Sequence, residues 1–150
     1  MELQTIREIE LAGFSVRTTN AKEQLAATAK IGQLWEVFYN QALPKLSPDS
    51  RIYGVYTNYE SDCHGAYDVV ACSDALKSET EGGFVKTEIQ EGPYIVFAAE
   101  GDFPKVVINL WEAIWNYFEA DDCSYKRAYT TDFEFYKGAH EVEIYIAVKS

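Results

Sequence analysis

One carboxylate in the second half of the chain lies among aromatic residues. Glu134 belongs to the strand-like segment Asp132 to Tyr136 (DFEFY), which follows a helical segment that carries Trp111 and Trp115. A buried carboxylate without an Arg or Lys partner is costly, and it normally becomes protonated or acquires a cation. A lipophilic organic cation could neutralise Glu134 and stack on the rings, each cation–π contact contributing about 0.5–2 kcal/mol. The alternative is a solvent-facing polar strand on which Glu134 is an ordinary surface charge.

The last two strands of the chain predict more of this site. Strand alternation places Asp132, Glu134 and Tyr136 on one face, and it places Glu143 and Tyr145 together on a face of the final strand. We therefore expect these two neighbouring strands to present their carboxylates and tyrosines on the same face of the sheet. Tyr145 then joins Tyr136 as a candidate ligand-binding residue.

Composition and charge narrow the class of protein. The 11 Tyr, 8 Phe and 3 Trp exceed what the core of a 150-residue chain needs, so some of them can line a cavity. A net charge of -11 and the lack of a basic cluster argue against direct binding of nucleic acid. An acidic surface favours cationic ligands, or serves solubility alone. No segment is long and apolar enough for a membrane span or signal peptide, so we expect a cytoplasmic protein that does not bind membranes.

Other reactive residues form weaker patterns. Cys63 and His64 are adjacent, but with two histidines in the chain and no Cys-x-x-Cys pair the sequence predicts no metal site and no cofactor. Nucleophilic catalysis by Cys63 with His64 or His140 would need a proximity that sequence does not show. The pair Gly82–Gly83 follows acidic residues and lacks a phosphate-binding context, so it is interpreted as a loop.

The elements that position these residues occur in the same order twice. In the first half we expect a strand over Gln4–Arg17, broken near residues 12–13, and a helix over Ala21–Leu43 with Asn20 as its N-cap. Strands over Ile52–Tyr59 and Tyr67–Cys72 follow.

The second half repeats this order. Strand material over Phe84–Glu100 is interrupted near residues 92–93, and Asp102 can cap a second helix with a proline in its first turn. Strands over Ala128–Tyr136 and Glu141–Lys149 complete the half.

A short internal repeat relates the two halves. LWEVF (34–38) aligns with IWNYF (114–118) at an offset of 80 residues, and the same offset places Tyr56 on Tyr136. The sequence therefore predicts an α+β fold of duplicated βαββ units, with a pseudo-two-fold antiparallel sheet, helices on one side and a central ligand cleft. We expect one domain over residues 1–150, with repeat halves of about 1–75 and 84–150.

An ordered series of segments also resembles a known family. The segments are YGVYTNYE (53–60), YDVVA (67–71), EGPYIVF (91–97), IWNYF, DFEFY and VEIYIAV (142–148). Together they resemble the GyrI-like effector-binding domains, which also occur as sensors of AraC-type and MerR-type multidrug regulators. The chain is similar to stand-alone members carried on mobile integron cassettes. The resemblance implies the duplicated βαββ fold and a cleft where a buried glutamate and aromatic rings bind lipophilic cations.

The resemblance also implies site residues. Its glutamate corresponds to Glu134, and its strand partner to Tyr136. The remaining aromatic positions correspond to Trp111, Trp115, Tyr53, Tyr56 and Tyr94, with Trp35 from the first helix.

Three functional hypotheses follow. The first is a non-enzymatic binding module for lipophilic organic cations; without room for a helix-turn-helix, it would sequester ligand or act with a separate DNA-binding or other protein partner. The second is a small-molecule hydrolase in which Glu134 and Tyr136 activate water or an electrophile. The third is an interaction protein whose acidic surface engages a macromolecule such as DNA gyrase.

Overall fold

A computed structural model describes residues 2–62, 64–76, 84–138 and 140–149. Cys63 and the Gly82–Gly83 pair lie outside the described residues. The strands are β1 (Glu2–Ile6), β2 (Ile9–Thr18), β3 (Ile52–Thr57), β4 (Tyr67–Ser73), β5 (Val85–Ile89), β6 (Gly92–Glu100), β7 (Arg127–Tyr136) and β8 (Glu141–Val148). The helices are α1 (Asn20–Glu23), α2 (Ile31–Gln41) and α3 (Lys105–Glu119), and a 3-10 turn covers Leu43–Lys45.

The strands form one antiparallel sheet in the order β1-β6-β8-β7-β3-β4-β2-β5. The order is symmetric about the central β7–β3 pair: β8 and β4, β6 and β2, and β1 and β5 occupy equivalent positions. Gly54 pairs with Glu134 in this centre, and the two residues are also 80 positions apart. The pseudo-two-fold axis therefore passes between them. The predicted α+β fold is confirmed.

The first strand of each half pairs with the other half. β1 pairs with β6, and β5 pairs with β2, so the halves exchange their edge strands. The expected single strand over Gln4–Arg17 is therefore two strands, and the break falls at Arg7–Glu8 rather than near residues 12–13. The reason is non-local, because β1 is one edge of the sheet, whereas β2 is the second strand from the other edge.

The expected helix over Ala21–Leu43 is likewise divided. It consists of α1, a turn region and α2, followed by the 3-10 turn. Thr19, rather than Asn20, caps α1 by accepting a hydrogen bond from the Lys22 amide (3.1 Å). In the second half, the N-cap of α3 is Pro104, without a side-chain cap, so the expected cap at Asp102 was wrong. Asp102 contributes only its backbone carbonyl, which accepts from the Val106 amide at 2.9 Å.

The carboxylate of Glu23 joins α1 to α2. It accepts hydrogen bonds from the backbone amides of Lys30 (2.9 Å) and Ile31 (3.1 Å), at the start of α2. A carboxylate at a helix N-terminus satisfies free amides and interacts favourably with the helix dipole. These hydrogen bonds connect the end of α1 to the start of α2 and so stabilise the turn region between the two helices.

Both faces of the sheet are apolar, and the helices cover one of them. Leu34 and Phe38 of α2 pack over β4, and Ile114 of α3 packs over β8. The other face carries a separate cluster that includes Tyr53 and Phe133. No helix among the described residues has the length and apolar character needed to cross a membrane.

Candidate functional site

The carboxylate of Glu134 is buried at the centre of the sheet, with an exposed fraction of 2%. Its Oε2 accepts hydrogen bonds from Trp111 Nε1 (2.7 Å) and the Tyr56 hydroxyl (3.0 Å). Its Oε1 accepts from the Tyr136 hydroxyl at 2.7 Å. The donors come from α3, β3 and β7, so both halves of the chain contribute. All three donors are neutral, and among the described residues no ion pair forms to Glu134.

The site leaves the negative charge of Glu134 uncompensated. Burial raises the pKa of Glu134, and the hydrogen bonds from Trp111, Tyr136 and Tyr56 offset only part of that effect. Burial and the neighbouring carboxylate in turn raise the pKa values of Tyr56 and Tyr136 well above the usual range. Both tyrosines therefore stay protonated and act as donors. A cation near Glu134 would favour its charged form.

A cavity of about 790 Å³ lies against Glu134, between α2 and α3 and above β3 and β7. Its volume falls within the range of small-molecule sites, about 300–1,000 Å³. The lining side chains are mostly aromatic or aliphatic. The aromatic members are Trp35, Tyr39, Tyr56, Tyr59, Tyr67, Phe103, Trp111, Trp115 and Tyr136. Ile108 and Tyr39 are 54% and 49% exposed, so they mark the mouth of the cavity.

Ring contacts hold the aromatic walls in place. Trp35 meets Tyr136 edge-on at 5.3 Å between ring centroids, and Tyr56 meets Trp111 at 5.1 Å. The ring centroids of Trp111 and Trp115 lie 6.2 Å apart on the same side of α3. Edge-to-face pairs at these distances are favourable. The rings that a flat ligand would contact are therefore positioned before it binds.

Other charged groups at the cavity are mainly acidic. Glu23 and Glu112 line it together with Glu134, while Arg127 supplies a positive charge. Arg127 is neutralised by Asp132, at 2.6 Å between Nη2 and Oδ2. The cavity is therefore electronegative overall, which favours positively charged ligands.

Asp132 is a second buried acid on the same face of β7, but its charge is compensated. Besides the Arg127 ion pair, its carboxylate accepts from the Tyr59 hydroxyl (2.5 Å) and the Ala147 amide (2.9 Å). Burial lowers the pKa of Arg127, but the charge and hydrogen bond of Asp132 together with Tyr59 and Tyr129 raise it by more, so the guanidinium stays charged. This pair spans an irregularity in β7, where the register to β8 shifts between residues 127 and 132. Asp132 therefore stabilises the strand.

Six of the nine predicted site residues line the one cavity. They are Trp35, Tyr56, Trp111, Trp115, Glu134 and Tyr136. Their role in binding stays a prediction. The other three, Tyr53, Tyr94 and Tyr145, lie in the cluster on the opposite face of the sheet.

Strand alternation and register explain the placement of Tyr53 and Tyr145. Tyr53 and Tyr56 are three residues apart on β3, so they point to opposite faces. On β8, Tyr145 pairs with Phe133 and stacks on it at 4.4 Å between centroids, whereas Glu134 pairs with Ile144. The expected matching parity of the carboxylates and tyrosines on the last two strands was therefore wrong.

Tyr94 serves the core of that opposite face. Its hydroxyl donates to the backbone carbonyl of Gln90 at 2.6 Å and lies 2.6 Å from Thr131 Oγ1. Its ring meets Phe133 edge-on at 5.4 Å. These contacts, with an exposed fraction of 1%, indicate a structural role.

Sequence reasoning missed several lining residues, of which Tyr39 and Tyr59 are informative. Tyr39 lies four positions after Trp35 on α2, a helical spacing that could have identified it. Tyr59 shares strand parity with Tyr53, yet it lies on the cavity side. The backbone of Asn58 between Tyr59 and the end of β3 has φ 52, a left-handed turn that breaks the alternation.

Solved structures share this fold. An integron cassette protein from the mobile metagenome of Vibrio cholerae is 55% identical, with a TM-score of 0.94 over 99% of this chain and 95% of that one. A putative transcription regulation protein from Staphylococcus aureus MU50 is 18% identical, with a TM-score of 0.74 over 99% and 97% of the two chains. SAV2435, solved with bound tetraphenylphosphonium, is 20% identical, with a TM-score of 0.71 over 99% and 93%. A search of curated proteins found no match.

These comparisons confirm the class of domain that the sequence suggested, a GyrI-like effector-binding fold. A family model described as Cass2, integron-associated effector binding protein, matches residues 2–148. The chain therefore belongs to this family of effector-binding proteins.

Proposed function

We propose that this protein is a stand-alone binding module for lipophilic organic cations, in which Glu134 supplies the counter-charge. The observation that carries the proposal is a fully buried carboxylate at the floor of an aromatic cavity, with three neutral donors and no ion pair to any residue that the structure describes. A buried charge without a partner is unfavourable. A cationic ligand would provide the partner and remove that cost.

The expected interaction energies are large enough for micromolar affinity for a lipophilic cation. One ion pair with Glu134 and several cation–π contacts of about 0.5–2 kcal/mol each can reach the 8 kcal/mol or so of a micromolar complex. Trp35, Trp111 and Trp115 all face the cavity, and tryptophan is the best ring for this contact.

The geometry favours binding over catalysis by Glu134. Both of its oxygens already accept hydrogen bonds, so the carboxylate is held as a fixed charge rather than presented as a general base. The complex of SAV2435 with tetraphenylphosphonium supports a lipophilic cation as ligand, since that protein has the same fold. We further propose that this protein sequesters the ligand or acts with a separate DNA-binding partner.

Replacement of the carboxylate tests the proposal. We expect methyltriphenylphosphonium to quench tryptophan fluorescence on titration, and Glu134→Gln to weaken its affinity at least tenfold, about 1.4 kcal/mol. The amide oxygen of Gln can keep the hydrogen bonds from Trp111 and Tyr56, and its amide nitrogen can donate to the Tyr136 hydroxyl, so we expect the Tm to stay within a few degrees of wild type. Calorimetry gives the affinity independently of the quenching.

Glu143→Gln is the matched control. It removes the same charge from the opposite face of the sheet, where Glu143 accepts a hydrogen bond from Tyr145. Its affinity should stay within twofold of wild type. An unchanged affinity in Glu134→Gln, or an equal loss in Glu143→Gln, would disprove the assignment of Glu134.

A further inference from the structure

Gly54 lies directly opposite Glu134 on the central strand pair. The 80-residue offset that relates the two halves also makes Gly54 the counterpart of Glu134. A side chain at either position therefore projects toward the pseudo-two-fold axis from the helix side of the sheet. Because the two residues face each other across the axis, two large side chains would meet there.

The space beside Gly54 is already filled by Glu134. A Cβ atom on Gly54 would lie 2.6 Å from Oε1 of Glu134 and 3.1 Å from Cζ2 of Trp35. Real Cβ contacts essentially never fall below 3.0 Å, so something would have to move. Glu134 cannot withdraw freely, because Tyr136 donates to that same Oε1.

Glycine is not required at position 54 by the backbone. The glycines with positive φ among the described residues are Gly92 and Gly101, and Gly54 has an ordinary strand conformation. A glycine inside a strand is unfavourable without such a reason, and it often marks close approach of another group. Here that group is the carboxylate of the site.

We propose that Gly54 is the positioning residue for the charge of the site. Its missing side chain admits a single carboxylate to the pseudo-two-fold axis, where Tyr56 from one half and Tyr136 from the other both reach it. Gly54 thereby determines the preference for cationic over neutral ligands. This inference rests on the proposed function.

The test compares a cation with a neutral molecule of similar shape. Gly54→Ala should weaken the binding of methyltriphenylphosphonium at least tenfold, because the displaced carboxylate no longer meets the charge. Binding of neutral triphenylphosphine oxide depends on the aromatic walls, of which Trp35 has to yield by only a few tenths of an ångström, so it should change less than twofold. Equal losses for both ligands, or no loss for either, would overturn the proposal.

Gly138→Ala is the matched control. Gly138 lies outside the cavity lining, and a Cβ atom there meets nothing within 4 Å. We expect its affinities for both ligands to stay within twofold of wild type. A loss of cation binding in Gly138→Ala equal to that in Gly54→Ala would show that any added methyl group has this effect, against the proposal.

Thermal unfolding of a double variant tests whether Gly54 acts through Glu134, even if Gly54→Ala folds poorly. Shortening Glu134 by one methylene makes room for the new methyl group, so Gly54→Ala/Glu134→Asp should recover at least half of the Tm lost in Gly54→Ala. No recovery would show that Gly54 does not act through Glu134. If the wild-type protein binds no cation, the proposed function and the ligand role of Gly54 are both wrong. The comparison of Tm between Gly54→Ala and Gly54→Ala/Glu134→Asp still shows whether Gly54 positions Glu134.

Discussion

At the scale of single residues, a nearby positive charge distinguishes two buried acids of β7. Asp132 forms an ion pair with Arg127, whose side chain is only 8% exposed. Glu134, two residues along on the same face, accepts hydrogen bonds only from neutral groups within the described part of the chain. The first acid therefore contributes to the stability of the fold. The second retains a charge that a ligand can neutralise.

The raised pKa of Glu134 predicts a pH-dependent affinity. Protonated Glu134 is neutral, and because burial raises its pKa above 4.5, this neutral form appears at higher pH than for an exposed glutamate. Affinity for methyltriphenylphosphonium, whose charge does not titrate, should fall as the pH is lowered from about 8 to 5. Fluorescence titrations across this range give the profile.

Glu134→Gln should flatten that profile. A profile that is equally steep in wild type and Glu134→Gln would show that the pH dependence does not come from Glu134.

At the scale of elements, the irregular start of β7 positions the strand that carries the site. Its register to β8 shifts between residues 127 and 132, and Tyr129 within this stretch has φ 55. The Arg127–Asp132 pair closes the irregular stretch, and the guanidinium lies over the Tyr129 ring at 4.5 Å. Glu134 follows in regular strand geometry, paired with Gly54 on one side and Ile144 on the other.

Breaking this pair should destabilise the protein strongly. Asp132→Asn leaves the buried Arg127 charge uncompensated, and loss of one partner of a buried pair typically costs about 3–5 kcal/mol. Urea unfolding measures the change in the free energy of unfolding. Lys137→Gln breaks an exposed pair with Glu143 just beyond the other end of β7, and it should cost less than about 1 kcal/mol. Similar costs for both variants would contradict the structural role of Asp132.

At the scale of the whole molecule, the site requires both halves and one face of the sheet. Tyr56 and Tyr136 are counterparts in the two halves, and both donate to the one carboxylate near the axis. The cavity above them is bounded by α2 from one half and α3 from the other. We propose that residues 1–150 act as a single domain with halves of about 1–75 and 84–150, although the halves exchange their edge strands.

Tyrosine substitutions on the two faces should separate their roles. The hydrogen bonds from Tyr56 and Tyr136 lower the pKa of Glu134, so Tyr56→Phe and Tyr136→Phe should each move the midpoint of the pH–affinity profile upward. Tyr53→Phe and Tyr145→Phe, on the opposite face, should leave the midpoint unchanged. An equal shift from either face would contradict the placement of the site.

The sequence alone predicted the features that depend on neighbours along the chain. Alternation within one strand placed Asp132, Glu134 and Tyr136 on a common face, and helical spacing grouped Trp111 with Trp115. The 80-residue repeat predicted two related halves about a pseudo-two-fold axis. These features are local or repeated, so residue spacing carries them.

Tertiary structure decided the features that depend on which segments meet. The register between β7 and β8 placed Tyr145 on the face of the sheet opposite the cavity. The exchange of edge strands divided the expected first strand into β1 and β2. Arg127 pairs with Asp132 and not with Glu134, and residue spacing does not reveal where Arg127 lies. Burial, register and charge compensation are non-local, because each is set by atoms from distant parts of the chain. For that reason Glu134 was a candidate in the sequence, and only the fold showed it to be a buried charge without a cationic partner among the described residues.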